Sequence, residues 1–160
     1  MADERKSSLA EAHLAFAKRL HGEVWTLLDG PSRTPADDER MLYAAYASCY
    51  HWLRAGTPLH QQRGEWLIAR VHTVLCDAAP ALAHARRCLE LAQQHPELME
   101  DFDLPFAHEC VARARALAGD REEARRHLAL AREGGAAIGE KEDREVFFES
   151  LRGGEWHGVA

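Results

Sequence analysis

Residues 85–92 read ARRCLELA and residues 124–131 read ARRHLALA, six of eight positions identical and thirty-nine residues apart. A near-copy at such an interval constrains a chain strongly, because the same local structure must be built twice and the copies must pack on one another. A second match lies upstream of each copy, Ile68-Ala69-Arg70 and Val111-Ala112-Arg113. Ile68 precedes Ala85 by seventeen residues and Val111 precedes Ala124 by thirteen. The difference of four is one helical turn or a longer loop. The repeated unit is therefore a helix, a turn and a second helix.

The rest of the chain follows helical periodicity, and no stretch has the β-branched alternation of a strand. Ser8 and Glu11 have capping-box spacing ahead of Leu9, His13, Phe16, Leu20, Val24 and Leu27, which recur at intervals of three and four. Asp29-Gly30-Pro31 ends that helix. Thr34-Pro35 opens a second, with Asp37, Asp38 and Glu39 at its positive end, closing at Ala55 before Gly56-Thr57-Pro58. Further helices are predicted over 63–76, 80–94, 103–118, 121–132 and 140–151, about seven in all. Gly134-Gly135 is read as a terminator and 153–160 as an irregular tail. The fold class is thus all-α, a single domain over 1–152 with hairpins at roughly 8–55, 63–95 and 103–134 and a capping helix at 140–151.

Residues 105–135 resemble a tetratricopeptide repeat. Val111-Ala112 occupies the close-packing spot of the first helix, AlaGlyAspArgGluGluAla the turn, and Ala124, Leu128 and Ala131 the small-large-small positions of the second helix. Residues 65–97 look like a diverged copy, with Ala85, Leu89 and Ala92 in the equivalent places. Ala69 and Ala112 replace the family's usual glycine, and His72 and Arg115 its tyrosine; the earlier copy's turn is four residues longer. The resemblance implies a short right-handed α-solenoid whose first helices line a concave groove. Carried over, the groove-facing spacing selects Arg63, Trp66, Arg70 and Thr73 from one hairpin, and Phe106, Glu109, Arg113 and Leu117 from the next. Three guanidinium groups beside two aromatics suit a peptide or protein segment bearing a carboxylate. The competing expectation is that these arginines pair with Glu65 or Glu109 and that the aromatics fill the core.

Composition narrows the classes. A net charge of −6 with Lys and Arg dispersed among acids speaks against nucleic acid, and no apolar run reaches membrane-spanning length. The opening MADERKSS lacks the apolar stretch of a secretory leader, and four separated cysteines without a CxxC pair suit buried, reduced thiols, hence a cytoplasmic protein. Tyr43, Tyr46 and Tyr50 share one helix face, read as core-facing. Were the loop 56–63 to fold over that helix, Tyr50, His51, Glu65 and Glu109 could converge in a second pocket able to bind or transform a small molecule. No two of the ten histidines stand three or four apart, so a metal would need ligands from separate helices; no metal, cofactor or catalytic residue is assigned. Asp101-Phe102-Asp103 is read as a helix start with Phe102 as staple, its carboxylates alternatively at the groove rim. Self-association into a homodimer through an open hairpin face is the remaining expectation.

Overall fold

The structure is a computed structural model and describes residues 8–160, so the leader reading of MADERKSS falls outside it except at Ser8. Among the described residues seven α-helices follow one another: α1 (Leu9–Asp29), α2 (Pro35–Ala55), α3 (Pro58–Val74), α4 (Ala78–Gln94), α5 (Asp103–Leu117), α6 (Arg121–Ala136) and α7 (Lys141–Arg152), with a 3₁₀ turn at Pro96–Leu98. No strand occurs among the described residues.

Helix starts obey local chemistry. Ser8 Oγ accepts the Glu11 N–H at 3.2 Å while Glu11 Oε2 accepts the Ser8 N–H at 2.7 Å, and Thr34 and Asp37 repeat the reciprocal pair at 3.2 and 3.0 Å. Each pair satisfies two backbone donors that a helix start leaves orphaned. The start of α3 differs from expectation. It lies at Pro58, not Arg63, because Pro58 presets the first turn and His60 Nδ1 accepts the Thr57 N–H at 3.0 Å in the same capping role. The segment 56–63 is therefore mostly helix and does not form a loop that could fold over α2.

The turns of the two repeated hairpins are equal. Residues 75–77 separate α3 from α4 and residues 118–120 separate α5 from α6. The four extra residues lie inside α4, which begins seven residues before Ala85, whereas α6 begins three before Ala124. The insertion is one added helical turn, not a longer loop.

Consecutive helices pack in antiparallel pairs, α1 with α2, α3 with α4 and α5 with α6, and each pair leans on the next. The cores are staggered to match. Val24, Met41, Ala45 and Ile68 join the first three helices; Ala69, Ala85, Val111 and Ala114 join α3, α4 and α5; Ala112, Leu128, Phe147 and Trp156 join α5, α6, α7 and the tail. The near-copies lie on the buried side of this scheme. Ala85, Cys88, Leu91 and Ala92 are buried in α4, and Ala124, His127, Leu128 and Ala131 in α6, while Arg86 and Arg125 face solvent. Ala69 and Ala112 are both fully buried, Ala69 among residues of α4 and α5 and Ala112 among residues of α6, α7 and the tail.

Gly134-Gly135 does not terminate α6; both residues lie within it. A Cβ on Gly135 would stand 2.2 Å from Cε1 of the buried Phe147, so the missing side chain is what admits α7. The tail is irregular, as expected, but docked: Trp156 is buried and donates its indole N–H to the Leu151 carbonyl at 2.9 Å. No helix among the described residues is long and apolar enough to cross a membrane.

Candidate functional site

The odd-numbered helices, the first of each pair together with α7, enclose a cleft of about 480 Å³. His21 and Trp25 come from α1, Gln62, Arg63 and Trp66 from α3, Phe102, Asp103 and Phe106 from the start of α5, and Val146, Glu149 and Ser150 from α7. Its walls are aromatic. Trp25 and Trp66 stack with centroids 5.7 Å apart and planes 22° off parallel, and Phe106 meets Trp66 edge to face at 5.9 Å. Such rings offer large, rigid apolar area with little conformational entropy to lose on binding.

The polar groups at this cleft are mostly committed. Arg63 grips Asp103 with Nε and Nη2 at 2.9 and 3.0 Å, while its guanidinium lies 5.3 Å from the Phe102 ring centre. Asp103 is buried, whereas the Arg63 side chain keeps 41% of its exposure, so the guanidinium still presents N–H groups to the opening. Asp103 also accepts the Glu100 N–H at 2.8 Å, which ties the start of α5 to α3. His21 Nε2 accepts the Trp25 indole N–H at 3.1 Å, and burial, with Arg63 nearby, holds its pKa below the ordinary histidine value. Two buried polar atoms of lining residues lack a protein partner: the indole nitrogen of Trp66, a donor, and Oε1 of Gln62, an acceptor.

Of the residues selected from sequence, Arg63, Trp66 and Phe106 meet at the cleft. Arg70, Glu109 and Arg113 do not line it. Glu109 and Arg113 are both buried and pair with each other one helical turn apart. Arg113 Nη2 donates to the carbonyls of Ser150 and Gly153 at 2.8 and 2.9 Å, and Trp156 lies over the guanidinium at 4.1 Å. Gly154 holds a left-handed φ of +75° against this group, where a Cβ would come within 2.9 Å of Arg113 Nη1. The end of α7 and the tail thus cover the part of the surface that Arg113 would otherwise present. Arg70 sits beside this pair, largely buried, and makes no ion pair among the described residues; burial lowers its pKa.

The second expected pocket does not assemble. Tyr50 is exposed, His51 pairs with His13 at 2.8 Å between Nδ1 atoms, Glu65 binds His84 at 2.6 Å, and Glu109 belongs to Arg113. The tyrosine face of α2 points outward, not into the core, with Tyr43 67% exposed. Among the cysteines, Cys49, Cys88 and Cys110 are buried thiols as expected, but Cys76 is exposed in the turn after α3. Burial pushes the Cys49 thiol up to about 12 and raises Cys88 and Cys110 as well, so these sulfurs stay protonated and are poor nucleophiles.

Sequence reasoning missed His21, Trp25, Phe102 and the α7 wall. The i, i+4 spacing of His21 and Trp25 was a usable signal, since it places both on one face of α1. Nothing local marks Val146 or Glu149 as cleft residues. The fold and cleft define an all-helical array of paired helices with an aromatic inter-helix site. Compared with protein-family models, curated proteins and solved structures, the chain matches none.

Proposed function

We propose that the chain is a non-catalytic interaction module, a short right-handed α-solenoid of tetratricopeptide-like hairpins acting in the cytoplasm. The cleft receives a peptide or protein segment that inserts an apolar side chain between Trp25, Trp66 and Phe106. A carboxylate of the same segment meets the outward N–H groups of Arg63. The observation that carries this reading is the aromatic cleft itself, contributed by the first helix of every hairpin. Support for the solenoid comes from the equal turns, the staggered cores and the buried Ala69 and Ala112. Arg63 replaces the wider set of guanidinium groups expected from sequence, because Arg113 is enclosed with Glu109.

An array of synthetic peptides with free carboxy termini, probed with the labelled full chain, tests this directly. Val146→Trp is the blocking variant, since Val146 is 59% exposed at the cleft and its replacement burdens no core. Peptides ending in an aromatic or large aliphatic residue are expected to bind, and to lose at least tenfold in affinity with Val146→Trp and with Trp66→Ala. Equal binding by all three proteins overturns the cleft assignment. The same cavity supports a small-molecule reading through its unpartnered donor on Trp66 and acceptor on Gln62. A stoichiometric metabolite retained in native mass spectrometry, with no peptide captured, decides for that alternative.

A further inference from the structure

Three helices bring two histidines onto one tyrosine hydroxyl, away from the aromatic cleft. Tyr46 Oη of α2 lies 2.9 Å from Nε2 of His72 on α3 and 2.8 Å from Nε2 of His84 on α4. Each imidazole is held from behind by a carboxylate: His72 Nδ1 is 3.1 Å from Asp77 Oδ2, and His84 Nδ1 is 2.6 Å from Glu65 Oε2. The two rings stand parallel within 3°, centroids 6.0 Å apart.

Counting hydrogens shows what this arrangement lacks. An ionised carboxylate only accepts, so each Nδ1 carries a hydrogen and each neutral ring turns a bare Nε2 lone pair toward Tyr46. The hydroxyl owns one hydrogen and can satisfy only one of them. The other contact sets two lone pairs face to face at hydrogen-bond distance unless a second proton, making one ring an imidazolium, or a metal ion stands between. Charge leaves room for the same two cations, and the arrangement behind the rings is the one that metal-binding histidines use. Glu65 and Asp77 each pair only with a histidine, and neither has a Lys or Arg within ion-pair distance among the described residues. A carboxylate behind each imidazole, fixing the tautomer and aiming Nε2, is the outer-shell pattern of metal-binding histidines.

We propose that Nε2 of His72, Nε2 of His84 and Oη of Tyr46 bind one divalent transition-metal ion of the class that imidazole favours, Zn²⁺ being the first probe. Among the described residues no three His, Cys, Asp or Glu side chains gather around a common point, so the phenol is the necessary third donor. Tetrahedral bonds of about 2.0–2.1 Å put neighbouring donors about 3.3 Å apart. Tyr46 must therefore withdraw by a few tenths of an ångström, and at 39% exposure it is free to do so. Binding converts the phenol to phenolate and releases its proton to solvent. Water takes the fourth position on the exposed side.

The test is calorimetric titration of the full chain with Zn²⁺ in two buffers of different ionisation enthalpy, which counts protons released. Cu²⁺ titration follows the phenolate-to-metal charge-transfer absorption. One ion per chain is expected, with a micromolar or tighter Kd and one proton released. His84→Ala should weaken binding at least a hundredfold. Tyr46→Phe, which keeps the ring and its packing, should weaken it about tenfold and abolish the charge-transfer band. Absence of saturable one-to-one binding overturns the site. So does wild-type affinity in His84→Ala, or a charge-transfer band that survives Tyr46→Phe.

Discussion

Arg63 and Asp103, forty residues apart, form a two-point ion pair in which the acid is buried and the base is half exposed. The pair clamps the start of α5 to α3 at the edge of the aromatic cleft. Its asymmetry makes the two truncations unequal. Arg63→Ala strands a carboxylate in a buried site and should cost about 3 kcal/mol, whereas Asp103→Ala leaves a guanidinium that can hydrate and should cost about 1–2 kcal/mol. The double variant should be more stable than Arg63→Ala alone. Urea denaturation of the three proteins measures this, and equal losses for the two single variants would refute the asymmetry.

Gly135→Ala sets helix propensity against packing. Alanine is favoured over glycine in a helix interior by about 1 kcal/mol. The added methyl, however, would meet the fully buried Phe147 ring at 2.2 Å. Overpacking of this kind costs about 1–3 kcal/mol, and part of the strain can be relieved by loosening α7. The expected result is a lower Tm and faster proteolysis between residues 137 and 141. A raised Tm would mean that α7 accommodates the methyl and that the close approach is not what requires glycine.

Cys76 offers the opposite case. It closes α3 with a left-handed φ of 60°, unfavourable for a residue with a Cβ, and its side chain is exposed. Cys76→Gly removes that cost at little loss of packing and should stabilise the chain by about 1 kcal/mol. Thermal unfolding under reducing conditions reads this directly; no gain in Tm would show that the thiol makes a compensating contribution.

The histidine pair between α5 and α6 predicts a pH response. His108 Nδ1 lies 3.0 Å from His127 Nδ1, with Arg126, Glu123 and Arg115 around the pair. Burial, then the neighbouring His127 and Arg126, lowers His108 from 6.5 to about 4, and burial and Arg126 lower His127. The folded state therefore takes up protons less readily than the unfolded state between these values. Stability should be complete above about pH 6.5 and fall as pH drops toward 4. With both rings partly solvated, the loss is on the order of 1 kcal/mol. His108→Gln should flatten this slope in urea midpoints measured at pH 7 and pH 5, and an unchanged slope would assign the effect to other groups.

The boundaries most legible in the sequence were those governed by neighbours. The Ser8–Glu11 and Thr34–Asp37 boxes and the ends at Ala55 and Gln94 need only the residues within a turn of them. The start of α3 was less legible because His60, not the Glu or Gln usual three residues after the cap, completes its first turn. At the cleft, Trp66, Phe106 and Arg63 were legible through the repeat, which transfers the facing of one helix to the next. Their partners were not. Whether Arg63 met Asp103, or Arg113 turned toward the tail, depended on contacts forty residues distant.

The amino-acid sequence by itself determined an all-helical chain of seven segments, the hairpin as its repeated unit and the buried side of α4 and α6. These follow from backbone hydrogen bonds four residues long and from apolar spacing at 3.6 per turn. Only the tertiary structure decided that the tyrosines of α2 face outward, that the tail and Trp156 enclose Arg113, and that Tyr46, His72 and His84 meet. Those outcomes depend on how far each helix is rotated and shifted against its neighbours. Many side chains set that jointly across the interfaces, so no local stretch of sequence encodes it.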